Sequence, residues 1–506
     1  MFLKHGASVT GLLAVLVVAA PRTPGPSLAA LETGSAARVA PILWQSRIAP
    51  PALSESQAAE AAAEPLLDDT FRIDVETITA TLDWYPASGW VDGSARLDFR
   101  MRPGQTRAVV NFTPFAASRA AVSRLLLDDR PLSPQSDADV RILTVPRTRQ
   151  PFIELLLTLD AGRSHSLTVD YRLTLPTVYP RFSSDVNDIR GQGNEAIWPT
   201  LNTPHELARH VITFRVHDRQ PFRFVGSGRS TFTADGEVQQ WVLDTQRPVS
   251  SYTVMFALLP AADTEYREWL IDNVPVRVVA YRTVNLAEAN ARLESWLPEL
   301  RRRFGPFPAL HGLSLFLYND AGGGMEYYGG SVTSLSALRH EVLHSYFGCS
   351  VVAHTYRDSW YDEAVTSWFE ETARGVGHAA LSSSYRGNWV GARSPVSVGF
   401  STLAYSDGAS IMQAVADRLG GTERMTDFLR VLVERHSFAP FTTPEFAGFL
   451  QQYTGVDMRA EFMNWLFNGR DPASIAAGSA AAEAGRKILE LDPPWTRRHE
   501  GRTERR

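Results

Sequence analysis

"HEVLHSYFG", His340 to Gly348, is the stretch from which the rest of the chain is read. On an α-helix, residues i and i+4 lie one turn apart on the same face, so His340 and His344 can present both imidazoles to one ion while Glu341 sits beside them. The surrounding "ALRHEVLHSYF" contains no helix breaker, with Ser336 placed as its N-cap and Gly348 as its C′ residue. Two imidazoles need a third donor. It is available in "RDSWYDEAVTSWFEE", where Glu363 follows His344 by nineteen positions. Ser359 followed by Asp362 is an N-cap pattern, which puts Glu363 in the first turns of a second helix packed back across the first. Two imidazoles and one carboxylate leave zinc's fourth position open to water, the arrangement of a catalytic rather than a closed structural site. The expected cofactor is therefore one Zn2+ per chain, held by His340, His344 and Glu363, although such donors also accept cobalt or manganese. Glu341 is the candidate general base. A second histidine pair, His205 and His210 in "HELARH", is spaced by five, which turns the rings to different faces, and reads as ordinary surface.

Composition sets the frame around this stretch. Hydrophobic residues make up 44% and charged residues 21% of 506, the balance of a globular chain long enough for two or three domains. A formal net charge of -5 leaves no broad basic surface of the kind that binds a phosphate backbone, so nucleic acid is not an expected partner. At the N-terminus, Lys4 precedes an apolar run from Val9 to Ala20, too short to span a bilayer comfortably and right for a secretory signal. We read residues 1–29 as a signal peptide and expect a secreted or periplasmic protein with no stable membrane span after its removal; an uncleaved membrane anchor is the alternative. Cys349 is the single cysteine, so no internal disulfide can form, and it reads as a small, partly buried thiol.

Residues 30–69 are rich in Ala, Pro, Ser and Glu with little periodicity, which reads as a disordered linker. From Thr70 the pattern alternates: Phe71, Ile73 and Val75, then Ala95, Leu97 and Phe99, with "PASGWVDG" between them as a turn. Further short strands, "SLTVDYRLTL", "HVITFRVHD", "QQWVLDT" and "SYTVMFALL", extend this into a mostly antiparallel β domain over 70–262. A mixed domain is expected over 263–470. It has the strand "VPVRVVAY", a helix opening at Asn285 with Glu288 in capping-box spacing, the strand "GLSLFLY", the glycine cluster "AGGGMEYYGG", and a mainly helical remainder. Residues 471–506, ending in "TRRHEGRTERR", read as a solvated charged tail.

These motifs resemble a gluzincin family, the zinc aminopeptidases of the membrane alanyl aminopeptidase type, which includes leukotriene hydrolase. The resemblance lies in "HEVLHSYFG", in Glu363 within "WYDEAVTSWFEE" with eighteen residues between it and His344, and in "GGMEYYG" upstream. It implies a saddle-like N-terminal β domain followed by a thermolysin-like α+β, mainly helical catalytic domain, and an exported zinc aminopeptidase acting on peptides. In the family a G-x-M-E-N segment forms an edge strand beside the zinc, and its glutamate holds the substrate's free α-amino group. The resemblance thereby implies substrate-binding roles for Gly324, Met325 and Glu326. "AYSDGASIMQAVADRLGG" resembles the family's Y-x-K-G segment and implies Tyr405 as donor to the oxyanion, with Tyr385, Tyr327 and Tyr328 as rivals. The chain departs from the pattern at Tyr327 in place of Asn, at Asp362 and Ala364 in place of the Asn and Gly flanking the third ligand, and at Asp407 in place of Lys. Too little chain follows Asn468 for the large helical C-terminal domain of bigger relatives, which implies a more open cleft. Two other readings stay open: a gluzincin with endopeptidase or another substrate preference, and a catalytically silent peptide-binding homologue.

Overall fold

The computed structural model describes residues 72–467 apart from 113–119, 134–138, 145–150, 176–180, 185–193, 202, 319–322, 355–357, 379–380, 382–384 and 386–401. The signal peptide (1–29), linker (30–69) and tail (471–506) expected from the sequence lie outside the described residues. None of the helices among the described residues is long and apolar enough to cross a membrane.

Alternation builds the first half. Ile78 and Leu82 on one strand and Leu97 and Phe99 on the next are fully buried, because every second side chain turns to the same face, and an irregularity between Val75 and Thr77 brings Ile73 to that face as well. Strands Ile73–Tyr85 and Trp90–Met101 pair antiparallel, with Ala80 opposite Ala95. The turn between them is shorter than expected, since pairing already resumes at Tyr85 and Trp90. The sheet runs in the order Arg229–Asp235, Val238–Asp244, Leu207–His217, Ile73–Tyr85, Trp90–Met101, Ser164–Thr174, Ala120–Leu127, Arg130–Pro131. One pair departs from the antiparallel expectation: Ile73–Tyr85 lies parallel to Leu207–His217, from Thr77 opposite Arg209 to Trp84 opposite Val216. The sheet is therefore mixed, as it must be where two paired strands run in the same direction after a long excursion of chain.

The second half is organised around a five-stranded sheet that carries part of the site. Strand β1 (Thr264–Ile271) pairs antiparallel with β2 (Val274–Tyr281), and β2 is parallel to β3 (Leu313–Leu317). Next to β3 the chain places β5 (Gly330–Thr333), parallel to it, and β4 (Gly324–Tyr327) lies antiparallel to β5 at the sheet edge. Helix α1 (Leu286–Phe304) opens as expected: Asn285 accepts from the Glu288 backbone N–H at 3.2 Å. Its Leu293, Leu297 and Leu300 pack with Val276, Val278, Leu313 and Leu315 on one face of the sheet. The alternate residues Val279, Phe316 and Val332 pack on the opposite face against Val225, Met255, Ala257 and Leu259 of the first half. Each Val, Leu, Met or Phe side chain contributes about 1.5–3 kcal/mol when fully buried, so the face that carries Val279, Phe316 and Val332 fixes the two halves to each other. Among the described residues six further helices follow: α2 (Leu338–Leu343), α3 (Trp360–Ala373), α4 (Thr402–Leu419), α5 (Thr422–His436), α6 (Thr443–Thr454) and α7 (Arg459–Phe467).

Candidate metal centre

Helix α2 carries the two histidines but is shorter than its sequence promises. Ala337, not Ser336, occupies the N-cap position, because the Ser336 hydroxyl pairs with that of Ser334 at 2.8 Å. After Leu343 the backbone tightens into i→i−3 bonds, Ser345 to Val342 at 3.1 Å and Tyr346 to Leu343 at 2.9 Å, so Gly348 (φ 101°) lies beyond the helix rather than at its C′ position. The turn that matters survives: His344 N–H donates to His340 C=O at 3.3 Å, keeping the imidazoles one turn apart. Helix α3 crosses behind them, with Ser359 at its N-cap position and Glu363 in its first turn. Helix α4 closes the site from the third side. A Cβ on Gly408 would fall 2.7 Å from that of Ala364, so only these small residues let α4 approach α3 this closely.

The donor atoms converge. His340 Nε2 and His344 Nε2 are 3.1 Å apart, and Glu363 Oε2 lies 3.0 Å from the first and 3.3 Å from the second. Zinc–donor bonds of about 2.0–2.1 Å in a tetrahedron give donor–donor edges of about 3.3 Å, so the three residues fit one ion. His340, His344 and Glu363 are thus a cluster able to coordinate one zinc ion per chain. Behind each ring stands a carboxylate: Glu370 Oε2 is 3.2 Å from His340 Nδ1, and Asp362 Oδ1 is 2.6 Å from His344 Nδ1. With the Nδ1 protons held there, both Nε2 lone pairs face the cluster once a metal has displaced the Nε2 protons. Neither carboxylate was assigned a place in the site from the sequence. Glu370 lies seven residues after Glu363, two turns on along the same face of α3, and that spacing could have pointed to it.

Charges inside this buried cluster shift strongly. Burial lowers His340, but hydrogen bonds to Glu363 and Glu370 outweigh it and hold the ring up to about 10. Burial likewise lowers His344, and the carboxylates of Asp362, Glu363 and Glu326 overturn this and raise it well above the usual range. Burial would raise Glu363, yet His344 and the hydrogen bonds to both rings pull it well below the ordinary carboxylate range. Zinc must displace a proton from the His340 imidazole at any pH below about 10, and His344, raised as well, acts in the same sense. Apparent zinc affinity is accordingly expected to rise by about tenfold per pH unit for each proton displaced, and so to fall as the solution is made acidic. Chelator competition at pH 6, 7 and 8 measures this; a flat profile would contradict the proton-loaded imidazoles.

Around the cluster the remaining residues take distinct places. Glu341 is buried, and its Oε2 has no hydrogen-bond partner among the described residues. Burial pushes its carboxyl up to about 7, against the pull of His340 and His344. Gly324 explains how β4 lies so close: a Cβ there would fall 2.5 Å from Glu341 Cγ and from Thr333 Oγ1. Glu326, on the same edge strand, is 3% exposed with Oε1 unpartnered among the described residues, and burial raises its carboxyl well above the usual range. Met325 stands opposite Val332 and is partly buried. Tyr405, at 39% exposure, donates its hydroxyl to Glu363 Oε1 at 2.6 Å, and its ring stacks 6.0 Å from that of His340. Its rivals point elsewhere. Tyr385 donates to Asp407 Oδ2 at 2.6 Å, Tyr328 accepts from Leu310 N–H at 3.2 Å, and Tyr327 packs in the core with Val279 and Phe316.

The histidine pair read as ordinary surface is not at the surface. His205 is 7% exposed with its ring 4.6 Å from that of His354 and tilted to it by 34°, and His210 is fully buried with Nε2 3.0 Å from Ser251 Oγ. Their spacing still keeps them apart from the cluster, since His210 sits on an inward-facing position of strand Leu207–His217. Cys349 is buried outright, at 1% exposure.

No family model matches the chain. Over 190 residues, 32% of its length, the chain is 26% identical to leukotriene A-4 hydrolase of Xenopus laevis, covering 31% of that protein. Over 189 residues, 31% of its length, it is 26% identical to aminopeptidase RNPEPL1 of Mus musculus, covering 26%. These matches span less than a third of either curated relative. The fold is similar to that of an M1 zinc metallopeptidase from Deinococcus radiodurans, a mutant bound to a Tyr-Ser-Ala substrate, with a TM-score of 0.60 at 18% identity over 78% of this chain and 94% of that one. The chain therefore shares the fold of the M1 zinc metallopeptidases, a mixed β region followed by a thermolysin-like α+β, largely helical region, and carries the His340–His344–Glu363 cluster within it.

Proposed function

We propose that this chain is a zinc-dependent aminopeptidase that removes N-terminal residues from peptides, with residues 263–470 as its catalytic domain and 70–262 as its β domain. The observation that carries the reading is the convergence of three donor atoms at 3.0–3.3 Å beside two buried carboxylates, Glu341 and Glu326, each with an unpartnered oxygen among the described residues. Zinc held by His340, His344 and Glu363 would polarise the scissile carbonyl and bring a water's pKa towards about 7. Glu341 takes up a proton at its free carboxylate oxygen and returns it to the leaving amine. A side chain poised near neutrality suits both transfers, and burial, with the neighbouring carboxylates and against the pull of His340 and His344, moves this one to about 7.

Tyr405 turns its hydroxyl from Glu363 to the developing oxyanion, an interaction made mainly in the transition state. Strand β4 lies at the sheet edge, so a peptide can add alongside it with main-chain hydrogen bonds through Gly324 and Met325. Glu326 then meets the substrate's α-ammonium, and a blocked N-terminus leaves that buried carboxylate unpaired. The apolar run at Val9–Ala20 supports export, to a secreted or periplasmic location.

Glu326→Ala tests the exopeptidase assignment. It is expected to lower kcat/KM for peptides with a free N-terminus by about 10- to 100-fold, the worth of a hydrogen bond to a charged group at ~1.5–3 kcal/mol. N-acetylated peptides should change little. Equal losses on free and blocked substrates would remove the assigned role.

A further inference from the structure

The two imidazoles of the cluster are backed unequally. Behind His340, Glu370 stands 3.2 Å from Nδ1, with both side chains 16% exposed. Behind His344, Asp362 stands 2.6 Å from Nδ1, with the side chains 0% and 3% exposed. The same nitrogen already has a backbone acceptor, Phe347 C=O at 3.1 Å. That carbonyl suffices to keep a proton on Nδ1 and leave the Nε2 lone pair facing the cluster. An asparagine, the residue that the family resemblance leads one to expect at this position, would also accept the hydrogen bond without bringing a charge. Burying a carboxylate is costly unless the charge does something the neutral group cannot.

Neighbouring positions on α3 also divide the ring between them. Glu363 Oε2 lies 3.3 Å from Nε2, while Asp362 Oδ1 faces Nδ1 on the other side. His344 is thus held at both nitrogens by adjacent carboxylates of one helix turn, whereas His340 is held by Glu363 and Glu370, two turns apart on the same helix.

We propose that Asp362 is a positioning residue whose charge strengthens His344 as a metal donor, making its Nε2 the stronger of the two imidazole ligands and tightening metal binding beyond what orientation alone provides. The inference rests on the metal-centre reading above. Asp362 acts only through His344: its carboxylate draws the Nδ1 proton towards itself, which leaves more electron density on the ring for Nε2 to share with an ion.

The test compares two isosteric variants of the full chain, Asp362→Asn and Glu370→Gln, each stripped of metal and titrated with zinc against a chromophoric chelator at fixed pH. Asp362→Asn is expected to weaken zinc binding by about 10- to 100-fold, and Glu370→Gln by a clearly smaller factor. Metal-free unfolding midpoints close to wild type would show that the loss lies in metal binding and not in the fold. Unchanged affinity in Asp362→Asn, or equal losses in both variants, would overturn the inference while leaving the metal centre standing. A second measurement needs no variant. In wild-type protein loaded with cadmium, the Nδ1 proton of His344 should resonate further downfield than that of His340, and the reverse order would overturn the inference. Failure of wild type to bind either metal would overturn the centre and the inference together.

Discussion

Glu341→Gln is expected to retain one zinc per chain and to lose about 10²–10⁴-fold in kcat, the usual worth of a positioned general base. Glu341 neighbours His340 in α2 yet is absent from the donor cluster, so its removal leaves His340, His344 and Glu363 in place. Glutamine preserves the shape that packs against Gly324, where even a single added carbon would collide, so the edge strand should keep its position. What is lost is the capacity to accept a proton. Metal analysis of the purified variant, beside its steady-state rate, separates the possibilities. Zinc lost together with activity would make Glu341 a ligand, and undiminished turnover would assign the base to another residue.

Glu363→Ala should abolish activity through the metal. It removes one of three donors, and its effect on zinc affinity should exceed the about 10- to 100-fold typical of an outer carboxylate partner. It also acts on the metal-free protein. Glu363 is the carboxylate shared by both rings, at 3.0 Å and 3.3 Å, with its side chain 3% exposed. Deleting one partner of such a buried charged set commonly costs about 3–5 kcal/mol. Two readouts follow. The variant should melt below wild type without metal, and it should gain nothing on adding zinc, whereas wild type at a hundredfold excess over Kd gains about 2.7 kcal/mol. A zinc-dependent rise in the variant's midpoint comparable to wild type would show that Glu363 is not a ligand.

How far this architecture could be read in advance depended on whether the determining contacts were local. Ile73 and Val75, or Leu97 and Phe99, announce their strands because a period of two is written in adjacent residues. Asn285 and Glu288 announce a helix start three residues apart. The metal donors were legible for the same reason: His340 and His344 sit on one turn, and Glu363 follows at a spacing that the gluzincin resemblance makes specific.

Tertiary pairing was the part not written locally. The parallel match of Thr77 with Arg209 joins segments 132 positions apart, and no periodicity encodes it. The expected cap at Ser336 failed because a second hydroxyl, Ser334, competes for it. The spacing of five placed His205 and His210 at the surface, while alternation along Leu207–His217 and the packing of His205 against His354 bury them. Asp362 stood out in sequence as half of an N-cap pattern and as a departure from the family pattern, and its contact with His344 depends on how α3 crosses α2.

The most direct test of the central claim is hydrolysis of a matched set of peptides by zinc-loaded wild-type protein: one with a free N-terminus, the same peptide N-acetylated, and an internally quenched peptide blocked at its N-terminus. The account predicts release of the N-terminal residue from the first alone, at a rate that falls when zinc is removed and returns when it is restored. Cleavage of the blocked peptides at a comparable rate, or survival of the free one, would contradict it.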